Sequence, residues 1–166
     1  MTIAARPNPS PEDPASSDVP RHTRPVPAHG FPPRERRRLR DDTDAMTHET
    51  VSGARLSISR LRSGTTVIAL AGEIDLSSVE TVERTVLDTV AASGGRLVVI
   101  DLNRVRFLGA RGTAVLVAAG DRAARGGGVL RIVPDAAAPA AHVMRWVLDA
   151  GSVSATMTEA LTARAG

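Results

Sequence analysis

The sequence predicts an α/β fold: a four- to five-stranded, mostly parallel sheet with an N-terminal hairpin and about four helices, preceded by a disordered tail. Three observations carry this. From Val51 onward, short β-branched runs alternate with longer stretches whose apolar residues recur at helical spacing. Glycine clusters stand where those stretches should stop. Nine of the eleven prolines lie in the first fifty residues, which hold few branched aliphatics.

That composition cannot bury enough apolar surface to offset the entropy of ordering, so residues 1–50 read as a disordered Pro/Arg-rich tail and residues 51–166 as one domain. A start of translation at Met46 is a second reading of the same boundary. Within the tail, RERRRLR at Arg34–Arg40 is followed by DDTD at Asp41–Asp44. The run is suited to an acidic partner or a membrane surface. Acids and bases balance across these fifty residues, however, and the plainer reading is a solvated, self-neutralising block.

ARLSISRL alternates apolar and polar residues as a strand with one wet face does, SGTT at Ser63–Thr66 supplies a turn, and TVIALAG is a second, more buried strand. The two form the hairpin. Ser77-Ser78-Val79-Glu80 matches the S-x-x-E capping box, so a helix is expected from there, with Val79, Val82, Val86, Leu87 and Val90 inward. Glu80, Glu83, Arg84 and Asp88 fall on its other side, and Gly94-Gly95 end it. RLVVIDL is a strand covered on both faces. NRVRFLGARG follows, then TAVLVAAGDRAA as a largely buried helix broken at Gly126–Gly128. VLRIV is a further strand, and PDAAAPAAHVMRWVLDAG holds a helix stopped at Gly151. The chain finishes with a strand-like SVSATM and a short helix in TEALTAR.

Composition excludes several classes of chemistry. With no Cys there is no disulfide framework, thiolate metal site or thiol nucleophile. His142 stands alone on a predicted helix, and the other three histidines lie in the tail, so no metal ligand set is expected. Phosphate-loop and nucleophile-elbow motifs are absent, and Asp75 and Asp101 read as strand-end acids rather than an acid/base pair. No enzyme activity and no cofactor are expected.

All 21 basic residues are Arg and the formal charge is only +3, which resembles a coding bias more than an adaptation to nucleic acid. Trp146, Phe31 and Phe107 are the only aromatics, too few for base stacking, so no nucleic-acid partner is expected. No apolar run approaches the roughly 20 residues of a spanning helix, and the N-terminus has no signal-like stretch. The expectation is a cytoplasmic protein with no membrane partner.

Three patches, GEIDLSS at Gly72–Ser78, VIDLNRVRFLGARG at Val99–Gly112 and AHVMRWVLDAG at Ala141–Gly151, occur in the order and spacing of one family. The chain resembles the STAS, or anti-sigma-factor antagonist, family across about 110 residues. The resemblance implies a bacterial regulator of transcription that binds an anti-sigma factor, itself a serine kinase, and is switched off when a Ser is phosphorylated. That Ser belongs to an Asp-Ser-Ser-Gly motif at the start of a helix.

Here the matching residues are Gly109, Ala110, Arg111 and Gly112, so Ala110 stands at the phosphoacceptor position without a hydroxyl. Thr113 is out of register with the motif, and Ser77 reads as a cap. The resemblance places the partner surface at Asp75, Leu76, Ser77 and Ser78 together with Gly109, Ala110, Arg111, Gly112 and Thr113. Arg111 at a helix N-terminus opposes the helix dipole; an ion pair with Asp75 would compensate, and the other reading is a side chain that simply points into solvent. A small-ligand-sensing or scaffolding STAS module is the alternative function.

Overall fold

The computed structural model describes residues 43–137, 148 and 150–162. One five-stranded sheet runs through them in the order β1-β2-β3-β4-β5, with β1 Thr43–Val51, β2 Ala54–Leu61, β3 Thr66–Ile74, β4 Leu97–Leu108 and β5 Val129–Pro134. Helix α1 (Val79–Ala92) connects β3 to β4, and α2 (Ala110–Arg125) connects β4 to β5. After β5 come a single 3₁₀ turn, Ala150–Ser152, and α3, Met157–Thr162. The helix expected between Pro134 and Gly151 falls almost wholly outside the described residues, as do residues 1–42 of the tail.

Two features differ from the sequence reading. Residues 43–50, assigned above to the tail, form most of β1 and pair antiparallel with β2 around a two-residue turn at Ser52-Gly53. Both turn residues have positive φ, 41° and 86°, the geometry that matches strand twist in a tight hairpin. Consequently the sheet is mixed: β1-β2 and β2-β3 are antiparallel, whereas β3-β4 and β4-β5 are parallel. Met46 lies inside β1. The final strand-like segment is reduced to one parallel bridge, Val153 to Ile132, supported by the Ser154 N–H donating to the Ile132 carbonyl.

Alternation in the strands builds two cores on opposite faces of the sheet. Ile68, Leu70, Val98, Ile100 and Ile132 pack with Val82, Val86 and Val90 of α1 and with Val115, Leu116 and Ala119 of α2. Leu61, Val67, Val99 and Val133 pack on the other face with Met157 and Ala160 of α3. The valines expected to face inward from α1 do so, with Leu87 partly buried beside them. Each fully buried aliphatic of this kind contributes about 1.5 to 3 kcal/mol.

Gly72 is the glycine whose freedom the fold most needs. Its φ is +91°, and a Cβ there would lie 2.1 Å from the Gly53 carbonyl oxygen in the hairpin turn.

β4 departs from regular pleating twice. Against β3, the partner of Ala69 is Asp101 while that of Ala71 is Arg104, and the partner of Gly72 is Val105 while that of Glu73 is Phe107. Each step inserts one extra residue in β4, a β-bulge, and each reverses which face the following side chains meet. As a result Leu102, Val105 and Leu108 all contribute to the α1/α2 core, a spacing of three that simple alternation would not give.

Asp101 braces the first bulge. Its Oδ1 accepts from the Asn103 N–H at 2.9 Å and from Asn103 Nδ2 at 2.7 Å. The residue is only 3% exposed, and burial raises its carboxyl above the ordinary carboxylate value despite the Asn103 hydrogen bonds and nearby Arg104. Asp101 is therefore a buried mid-strand brace and not the strand-end acid that the sequence suggested.

Candidate functional site

Parallel pairing of β3 and β4 brings the ends of both strands to one rim of the sheet, and the Gly109 N–H donates to the Ile74 carbonyl across it at 3.0 Å. The two segments expected to act together, Asp75–Ser78 and Gly109–Thr113, are thus neighbours.

After β3 the chain turns through a dense polar network. Asp75 Oδ1 accepts from the Ser77 N–H at 2.9 Å and from Ser77 Oγ at 2.7 Å, and these bonds to the charged form hold its carboxyl below the ordinary value. Ser78 is fully buried; its Oγ accepts from the Asp75 N–H at 3.2 Å and donates to the Glu73 carbonyl at 3.1 Å. The capping box therefore does not form as expected. Ser78 precedes the helix and makes no side-chain cap bond to it, while Ser77 serves the Asp75 turn. A T-x-x-E pair does cap α3: Thr156 Oγ1 accepts from the Glu159 N–H, and Glu159 Oε2 accepts from the Ala155 N–H.

The start of α2 is bare by comparison. Gly109 takes the N-cap position in extended conformation, no side chain caps the helix, and its first turn holds no acid. Ala110 and Arg111 are exposed. Thr113 donates its N–H to the Gly109 carbonyl at 3.0 Å, and its partly buried hydroxyl points back to the same oxygen at 3.4 Å. Gly112 is buried where a Cβ would stand 2.5 Å from Leu108 Cδ1 and 3.1 Å from Ile74 Cγ2, so its lack of a side chain seats this turn on the ends of β3 and β4.

The expected pair between Arg111 and Asp75 is not made. Arg111 Nη2 lies 3.7 Å from Glu83 Oε2, tying α2 to α1, while the Asp75 carboxylate is occupied by Ser77. Arg106 similarly meets Glu73 at 3.5 Å. Both pairs are solvent-exposed and contribute about 0 to 1 kcal/mol each.

Two large apolar side chains remain in solvent on this rim, Leu76 at 78% and Phe107 at 54% exposure. The Phe107 ring flanks the helix start, since a Cβ on Gly109 would be 3.6 Å from its Cε1. Phe107 was not among the expected site residues. An aromatic in a chain with only three was the available signal, but simple alternation along the strand could not place it on the outside.

A polar-braced turn beside an uncapped helix start, with exposed apolar residues on the same rim, can be gripped by a macromolecule. Among the described residues no cluster of His, Asp and Glu could hold a metal, and no helix is long and apolar enough to cross a membrane.

The STAS domain family model matches residues 58–145, more than half of the chain and both halves of the rim. The chain belongs to the STAS family. Among solved structures, this STAS domain is similar to an anti-sigma factor antagonist from Mycobacterium paratuberculosis, with 28% identity, a TM-score of 0.54, and coverage of 72% of this chain and 93% of that one. SpoIIAA, an anti-sigma factor antagonist, is similar in its unphosphorylated form at 20% identity and TM-score 0.48, with coverage of 70% and 93%. The phosphorylated form of the Bacillus cell fate determinant SpoIIAA matches at 19% identity and the same TM-score, with coverage of 70% and 96%. No curated protein matches the chain.

Proposed function

We propose that this STAS domain is an anti-sigma factor antagonist of a bacterial cytoplasm, a binding module rather than an enzyme, which regulates transcription by holding a kinase-type anti-sigma factor. The observation that carries the reading is the exposed pair Leu76 and Phe107 beside the bare helix start at Gly109–Ala110. Leaving such side chains in water is unfavourable unless a partner covers them. The resemblance to the Mycobacterium paratuberculosis antagonist, over nearly the whole of that chain, supports the class of partner.

The off-switch is altered. Ala110 lacks the hydroxyl that the family's phosphorylation needs, and the neighbouring hydroxyls are engaged: Ser77, though exposed, donates to the Asp75 carboxylate, Ser78 is buried and bonded, and Thr113 bonds back to its own helix. A phosphate would add up to two negative charges to the surface. Without it the grip is constitutive or controlled elsewhere.

Titration of the host's anti-sigma factors against the wild-type chain and against Gly109→Lys tests this. Gly109 has ordinary negative φ and room for a Cβ, so the variant should fold while its charge blocks docking. Binding by the wild type alone is expected, with the intact mass unchanged after incubation with the kinase and ATP. Equal binding by both proteins, or a thermal shift with nucleotides or lipids and none with any anti-sigma factor, would reject the proposal.

A further inference from the structure

The two edges of the sheet are finished differently. Outside β5 the Val153 bridge and the Ser154 N–H cover part of the edge, whereas no described strand pairs with the outer side of β1. Nine residues long, β1 carries neither the proline nor the lysine that commonly guards such an edge. Its one register shift falls at Thr43/Ala45, so Ala45–Val51 runs regularly between that bulge and the Ser52-Gly53 turn.

What this edge offers follows from the turn. Val51 and Ala54 flank a two-residue hairpin loop and so exchange backbone hydrogen bonds, and by alternation Glu49 and Thr47 bond with Leu56 and Ile58. The N–H and C=O groups of Met46, His48 and Thr50 therefore point away from β2, and they bond to no other described backbone. Met46 is also 50% exposed. Among the described residues the other large apolar side chains left in water, Leu76 and Phe107, belong to the rim, but Met46 lies in line with Ser59 and Val67, well away from Ile74.

We infer that the chain dimerises through this edge, β1 pairing antiparallel with β1 of a second copy about a two-fold axis at His48. The segment is complementary to itself. His48 is both the midpoint of the regular stretch Ala45–Val51 and an outward-pointing residue, so this axis alone uses the whole stretch. His48 exchanges both backbone bonds with its copy; the Met46 N–H donates to the Thr50 carbonyl of the second copy, and the Thr50 N–H to its Met46 carbonyl. Thr47 comes opposite Glu49, and no acid opposes an acid. An axis at Glu49 would set two glutamates together, and one at Thr47 would draw the bulged Asp44 into the ladder opposite Thr50. Antiparallel pairing also sends the two acidic strand starts, Asp44 and in sequence Asp41-Asp42, to opposite ends of the interface.

The dimer doubles the five-stranded sheet into one continuous sheet. Because Gly72 packs on the Ser52-Gly53 turn, each rim lies at the turn end of its own β1, and the pairing sets the two rims at opposite ends, both open. The assembly is bivalent. A ladder this short buries less surface than a standard interface, which puts self-association in the range of about 10 to 100 μM. The inference does not depend on what the rim binds.

Sedimentation velocity of the full chain from about 5 to about 500 μM tests it, with amide hydrogen exchange at the two ends of that range. A monomer–dimer equilibrium is expected, with exchange at Met46, His48 and Thr50 slowed only at high concentration and exchange at Thr47 and Glu49 slow throughout. His48→Pro removes an outward N–H that β2 does not use, so it should weaken dimerisation at least about thirtyfold while leaving the hairpin paired. Should that variant not fold, His48→Lys places two like charges at the axis and should act in the same direction. Leu76→Ser should dimerise as the wild type does, which separates this edge from association through the rim. A wild type that stays monomeric over the whole range, a folded His48 variant that dimerises unchanged, loss of the dimer in Leu76→Ser, or exchange at Met46, His48 and Thr50 that ignores concentration would overturn it.

Discussion

Two helices begin on the same rim, each after a parallel strand, and they begin in opposite ways. Before α1 the turn is filled by the chain's own polar groups, with Asp75 held by Ser77 and the buried Ser78 hydroxyl joining the Asp75 N–H to the Glu73 carbonyl. Before α2 no side chain caps the helix, and Gly109, Ala110 and Phe107 face outward. The first start is a braced frame; the second leaves its surface open, and it is this surface that the proposed function uses. A rigid neighbour lets an uncapped helix start keep its position while its surface stays available.

The largest effect that would sharpen this contrast is on the frame. Ser78→Ala should cost about 1 to 3 kcal/mol of unfolding free energy in urea titrations, because it strands the Asp75 N–H in a buried site. An unchanged stability would mean that the network braces nothing.

Phe107→Ala should do the reverse. It should leave stability within about 0.5 kcal/mol yet cost about 2 kcal/mol of partner affinity by calorimetry, as a central aromatic anchor would. A loss of stability with unchanged affinity would break the comparison.

Acid titration separates two carboxylates whose values are displaced in opposite directions. Asp75 is lowered by its Ser77 hydrogen bonds, so its contribution is present above the ordinary value of 3.8 and is lost as pH falls through its folded value. Asp101 is raised by burial, so its ionisation opposes folding as pH climbs from 3.8 through its folded value. Urea melts between about pH 3 and about pH 6 should show Asp101→Asn removing a decline in stability with rising pH, and Asp75→Asn removing a decline with falling pH.

Arg111→Ala should matter least, changing stability by less than about 1 kcal/mol, since its pair with Glu83 is exposed. A larger loss would make the α1–α2 tie part of the frame.

How far the sequence could be read varies with how local the cause is. The α1 stripe of Val79, Val82, Val86 and Val90 and the stop at Gly94-Gly95, both with positive φ, follow from properties of single residues and their spacing. β1 was missed because TDAMTHETV has few apolar residues to set an alternation; as an edge strand with mostly exposed side chains it gains its place from pairing with β2. The N-cap position falls one residue later than the Ser77-x-x-Glu80 pattern places it, at Ser78, because the Ser78 hydroxyl is buried and bonded to Glu73 and Asp75, which no local pattern reveals. At the site, the two segments and their shared rim were legible from the strand-helix alternation. The Arg111 partner and the exposure of Phe107 were not.

By itself the sequence determined β2 to β5, the two helices between them and the apolar stripes that face inward, and the absence of a hydroxyl at position 110, because periodicity, glycine placement and residue identity are written along one chain. Tertiary structure alone decided that Arg111 meets Glu83 and that two bulges turn Val105 and Leu108 inward and leave Phe107 in solvent. Those outcomes depend on the register of one strand against another and on the packing of one helix beside another, which residues distant in the chain fix jointly.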